Sequence, residues 1–203
     1  IGMPFYVDAL VLYSNKNVLT KHFFTKPPAT WDEFLALSQA ITQKDRSNNI
    51  TLAGAAMGRA INIRNAPSII SALFLQFGDP MTDDHGRLLL GQELQQGAVK
   101  VKPAESALQF FTDFANPRKL SYAWSFSLPE AQEMFLSGKL GLYVGFMSEY
   151  NVLRARNPHL DFSVSLLPQL TNATRPITYG KYYFLGVSRT SSNQAHAWDF
   201  IRF

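Results

Sequence analysis

The sequence predicts an α/β fold. Short apolar runs of strand length alternate with segments whose apolar residues recur at helical spacing. Two of the helical segments open on a capping-box pattern, Thr30-Trp31-Asp32-Glu33 and Ser127-Leu128-Pro129-Glu130. Between the segments stand Gly, Pro and Asn clusters of the kind that end one element and begin the next.

The first element is the most informative. Phe5, Val7, Leu10, Val11 and Leu12 make a long apolar run, interrupted by Tyr6 and Asp8. Residues two apart on a strand point to the same face, so Tyr6 and Asp8 share one. A polar face beside such a run predicts a sheet strand with one end opening onto a cleft. Residues 15–26 read as a short turn and helix, and Pro27-Pro28 as a rigid approach to the next. There Thr30 is the expected N-cap and Glu33 its N3 partner, with Phe34, Leu35, Leu37 and Ile41 as the buried stripe.

Residues 44–49 read as a polar turn and 52–57 as a short buried strand containing Gly54. A helix is expected over 68–77, stopping at Gly78. Residues 79–97 look like a loop, with a turn at 83–86. Pro103 opens a helix whose apolar face is Ala107, Phe110, Phe111 and Phe114. Ser127 is the expected N-cap of a helix running to Ser137, stopped by Gly138. A strand over 140–144, a helix over 148–156 and a strand over 162–166 follow. Residues 171–176 read as a polar linker, 179–187 as an aromatic strand, and 193–201 as a helix.

Composition narrows the function classes. Apolar content of 46% with 17% charged residues suits a globular domain, and 203 residues allow one large domain or two small ones. No stretch reaches the roughly 18 apolar residues of a membrane span. The net charge is +4 but its Lys and Arg are scattered, which argues against a nucleic-acid surface. Cysteine is absent, removing disulfides, thiolate catalysis and cysteine zinc sites. The four His, at 22, 85, 159 and 196, have no ligand spacing, so no metal or other cofactor is expected. Aromatic content is high at 13%, with sixteen Phe, eight Tyr and three Trp; many must be core, and Tyr and Trp also suit surfaces that receive sugars.

Three segments in order carry a resemblance. Residues 4–16 (PFYVDALVLYSNK) lead to 27–34 (PPATWDEF). Residues 131–145 are centred on FLSGKLGL. Leu167-Pro168-Gln169, Tyr179-Gly180-Lys181 and 197–201 (AWDFI) close the series. Together they resemble the family 1 extracellular solute-binding proteins of ABC importers, the maltose-binding-protein-like group, across essentially the whole chain. Ser14 stands where the family often has a second Tyr.

The resemblance implies a class II periplasmic-binding-protein-like fold of two α/β lobes joined by crossing strands and closing around solute. Residues 1–13 would be the crossing strand from the first lobe, 14–170 the second lobe, and 171–203 the return crossing with part of the first lobe. It also implies that the chain corresponds to roughly the middle half of a complete member. The secretion or lipoprotein signal would then lie outside it. The implied location is extracytoplasmic, periplasmic or lipid-anchored. The implied partners are a small solute and the membrane subunits of an importer, with a monomer as the working form.

Asp8 matches the acidic residue that accepts solute hydroxyls in sugar-binding relatives; an ion pair within the hinge is the alternative. Tyr6 shares its face, and could equally be core packing. In the segment opening the helix at 148, Phe146 would be a stacking platform and Ser148 or Glu149 a polar contact. The alternative is a helix cap over a buried ring. Trp124 sits in a loop where periodicity does not force burial, and Asn62 follows a strand and precedes a helix, as a cleft amide or a turn residue would. Tyr179 and Tyr182 lie at the second crossing, where Tyr182 and Tyr183 cannot both face the cleft in a regular strand.

No enzyme is expected. A glycosidase needs paired carboxylates, and Asp8 lacks an evident second. There is neither a GxSxG elbow nor a phosphate loop. The expectation is capture of a sugar or oligosaccharide for an importer. A polyamine or glycerol-phosphate-type solute, or a carbohydrate-active enzyme or sensor domain, is the alternative; Arg59 and Arg64 could serve an anion.

Overall fold

The computed structural model describes residues 2–96 and 99–203. Ile1 of the first crossing and Gly97 at the end of the expected 79–97 loop lie outside the described residues. Strands β1 (Met3–Asn15), β2 (Gln43–Lys44), β3 (Ile50–Ala55), β6 (Leu140–Phe146), β7 (Phe162–Leu166) and β8 (Gly180–Leu185) form a six-stranded sheet. Its order is β2-β3-β6-β1-β7, and β8 joins it through β1 alone.

β1 is long enough to serve two sets of neighbours. Residues 10–15 pair antiparallel with β6 and β7, placing Leu10 opposite Phe146 and Tyr13 opposite Val164. Residues 3–9 pair only with β8, Tyr6 opposite Tyr183 and Asp8 opposite Lys181. The change falls at Ala9 and Leu10. The Met147 amide donates to the Ala9 carbonyl at 2.9 Å, and the Leu10 amide to the Tyr179 carbonyl at 2.8 Å. Burial changes at the same point, from exposed residues 2–7 to the buried run from Leu10 to Asn15.

Helices α1 (Lys16–Lys21), α2 (Trp31–Ile41), α3 (Ala66–Phe77), α4 (Pro103–Asp113), α5 (Ala131–Leu136) and α6 (Glu149–Arg156) cover the buried part of the sheet, and α7 (Gln194–Arg202) follows β8. Thr30 is the N-cap of α2 as expected, its Oγ1 accepting from the Glu33 amide at 3.2 Å. Glu33 reaches back past it to the Ala29 amide at 2.7 Å rather than closing the box on Thr30 itself. The second capping box does not form at Ser127. α5 starts at Ala131, and Glu130 is its N-cap, accepting from the Gln132 amide at 2.8 Å. Asn62 explains the shift. Its Nδ2 donates to the carbonyls of Ser125 and Leu128, and its carbonyl accepts from Ala131, holding 125–130 out of the helix.

The end of the expected 79–97 loop is a strand, β4 (Leu94–Gln96), paired antiparallel with β5 (Val99–Val101); neither carries strong apolar alternation in the sequence. The core has two aromatic groups. Tyr13, Phe135, Tyr143 and Phe162 pack along β1 and β6, and Trp31, Phe34, Phe110 and Phe114 pack between α2 and α4. At Gly54 the α2 backbone lies against β3, and a Cβ there would stand 2.0 Å from the Ser38 carbonyl oxygen.

Candidate functional site

β3 and β6 run parallel and β1 runs against them. β3 and β6 therefore turn their carboxyl ends to the same edge of the sheet, where β6 ends at Phe146 beside the point at which β1 changes neighbours; β3 ends earlier, against Leu142. In open α/β sheets that edge is where ligands bind. Asp8 lies there, 6% exposed. The Ser148 amide donates to its Oδ1 at 3.0 Å and the Ser148 hydroxyl to its Oδ2 at 2.6 Å. Ser148 precedes α6 but makes no side-chain cap to it.

Glu149 secures the turn instead. Its carboxylate accepts from the Phe146 amide, Asn65 Nδ2 and Gln132 Nε2, each at 2.8 Å, and from the Tyr143 hydroxyl at 2.5 Å. Burial, and then the Glu149 charge, push the Tyr143 phenol far above its ordinary range. Tyr13 is raised for the same two reasons, and its hydroxyl donates to the Phe146 carbonyl at 2.7 Å. Gly145 allows the turn its tightness, because a Cβ would meet Tyr143 at 2.7 Å and Glu149 at 3.0 Å.

Phe146 is 3% exposed. Lys181 Nζ sits 3.8 Å from its ring centroid, and Tyr179 meets it edge-on at 6.5 Å. Tyr6 stacks on Tyr183, with centroids 4.3 Å apart and planes 9° apart. Cross-strand partners share a face, so Tyr6, Asp8, Lys181 and Tyr183 line one side of the ribbon. Tyr182 pairs with Val7 and points to the other side.

Asn62 and Trp124 serve each other. Trp124 is fully buried and its Nε1 donates to Asn62 Oδ1 at 2.9 Å, while both Asn62 amide hydrogens hold the 125–128 loop. Of the sequence-derived candidates, Tyr6, Asp8, Phe146, Ser148 and Tyr179 are brought together. Glu149 stands beneath them as a fully bonded support. Asn62 and Trp124 lie in the core below the loop, and Tyr182 on the opposite face. Sequence reading missed Lys181 and Asn65 and left open which of Tyr182 and Tyr183 shares the face of Tyr6. Lys181 and Tyr183 follow from alternation once the register with Tyr6 and Asp8 is known; Asn65 carries no local signal.

Two further glutamines fasten the returning chain. Gln76 Nε2 donates to the carbonyls of Pro168 and Ile177, and Gln169 bonds both the amide and the carbonyl of Ile177. A cavity of about 560 Å³ between Ile50, Leu128, Met134 and Lys139 lies apart from these residues. Among the described residues no group of three or more His, Asp or Glu is placed to hold a metal ion.

The fold is that of bacterial solute-binding proteins of ABC transporters. One such structure, from Thermotoga lettingae with bound α-D-tagatose, superposes with a TM-score of 0.70 at 21% identity. It covers 98% of this chain and 48% of that one. Maltose-bound MalE3 of T. maritima superposes with a TM-score of 0.69 at 20% identity, covering 100% and 49%. The chain belongs to the family of bacterial extracellular solute-binding proteins, whose family model matches residues 1–203. A binding protein of Brucella abortus is 21% identical over 202 residues, 100% of this chain and 46% of that protein. The chain thus spans about half the length of the relatives it matches.

Proposed function

We propose that this chain captures a small polyhydroxyl solute, a sugar or oligosaccharide, outside the cytoplasm and delivers it to the membrane subunits of an ABC importer. The observation that carries the reading is Asp8, a carboxylate oriented by two hydrogen bonds from Ser148 where β1 passes between neighbours. Each oxygen keeps acceptor capacity for a hydroxyl. Tyr6, Tyr183 and Tyr179 supply aromatic surface and phenolic groups beside it. The sugars held by the Thermotoga proteins support the substrate class.

In this reading residues 14–170 form the second lobe. Residues 1–13 are the crossing strand from the first lobe, and residues 171–203, with β8 and α7, are the return crossing and part of the first lobe. Their exposed Phe5, Tyr182, Phe184 and Phe200 supply an apolar surface for further packing. Hinge closure would bring that side over the solute. The protein binds without turnover and works as a monomer, periplasmic or lipid-anchored. No helix among the described residues is long and apolar enough to cross a membrane.

A thermal-shift screen of the full-length gene product tests this. Its panel holds mono- and oligosaccharides, polyamines and glycerol phosphates. A bound solute at 100 times its dissociation constant stabilises by about 2.7 kcal/mol. Stabilisation by a sugar that is recovered unchanged is the expected result. Conversion of the sugar to product, or stabilisation by polyamines alone, contradicts it.

A further inference from the structure

Lys181 is the only basic residue on the paired segments 3–9 and 180–185. It stands directly across from Asp8, yet no ion pair joins them. Ser148 already bonds both oxygens of Asp8, and four donors surround the carboxylate of Glu149. Among the described residues no carboxylate lies within 4 Å of the Lys181 ammonium, which rests over the Phe146 ring. A ring face is a weak partner for an exposed ammonium compared with an anion that can accept its hydrogens.

The edge therefore offers a cation without a carboxylate partner, while its two acids are already engaged.

We propose that the solute carries an anionic group, a carboxylate or a phosphate, on its polyhydroxyl frame, and that Lys181 is the residue that selects it. The inference rests on the capture reading above and narrows its substrate class. Lys181 leaves the Phe146 ring to bind the anion, which uncovers that ring face for the solute. Asp8 and Ser148 take the hydroxyls.

Titration calorimetry on the full-length gene product tests this with matched probes. Glucose, maltose and tagatose are the neutral set; glucuronate, glucose 6-phosphate and glycerol 3-phosphate are the anionic set. At least one anionic probe should bind tenfold or more tightly than any neutral one, and its affinity should fall with added salt. Lys181→Met should remove that advantage and leave the melting temperature in place, since the side chain is exposed. The carboxylate and phosphate probes identify which anion is taken. Tightest binding by a neutral sugar, unaffected or improved in Lys181→Met, overturns the inference and leaves solute capture standing. Failure of every anionic probe overturns it as well. Failure of both sets, with neither kind bound, contradicts the capture reading itself.

Discussion

Glu149 shows how one carboxylate sets the geometry of a whole turn. Four donors from β6, α5 and the start of α3 converge on it, and through the Phe146 amide it fixes where Ser148 meets Asp8. Glu149→Ala would leave several partly buried donors without a partner. It should lower the unfolding free energy by about 3 kcal/mol, measured by chemical denaturation. An effect below about 1 kcal/mol would mean that water replaces the carboxylate. The phenols above it give a pH signature. Tyr13 and Tyr143 have raised native values, so their contribution is complete below the unfolded phenol value of about 10. It is lost as pH rises beyond that, because only the unfolded chain ionises. Stability should therefore fall steeply above about pH 10, and less steeply in Tyr143→Phe; identical alkaline slopes would contradict the assignment.

At the scale of elements, β1 and α2 were the most legible in the sequence. The apolar run and the Tyr6–Asp8 alternation announced a strand, and Thr30 with Glu33 announced a helix start, because those signals are local. Ser127 misled for the converse reason. Its capping pattern is local, but Asn62, 65 residues earlier, holds the segment and moves the helix start to Glu130. The site was half legible. Asp8 and Ser148 share a strand-and-turn signal, whereas Lys181 and Tyr183 depend on a register that only the paired strands fix. Trp124 looked free because no periodicity buried it; a hydrogen bond to Asn62 does so instead. Gly54 gives a test of the packing. With the Ser38 carbonyl 2.0 Å from any added Cβ, Gly54→Ala must displace α2. It should cost about 3 kcal/mol or more or prevent folding, read from the melting curve and far-UV circular dichroism. A wild-type melting temperature would show that α2 is not seated as described.

For the whole molecule, the central feature is a single strand that belongs to two sets of neighbours, with a hydrogen-bonded carboxylate at the change. Residues 10–15 are buried, while residues 3–7 and β8 expose much of their aromatic surface. That asymmetry suits a junction that turns rather than a uniform core. The most direct measurement is titration calorimetry of the solute found in the thermal screen, comparing the native full-length gene product with Asp8→Ala. The carboxylate and its hydroxyl contacts predict a loss of about 100-fold, equivalent to about 2.7 kcal/mol, with the variant still folded. Unchanged affinity in a folded Asp8→Ala protein would contradict the placement of the site at this junction.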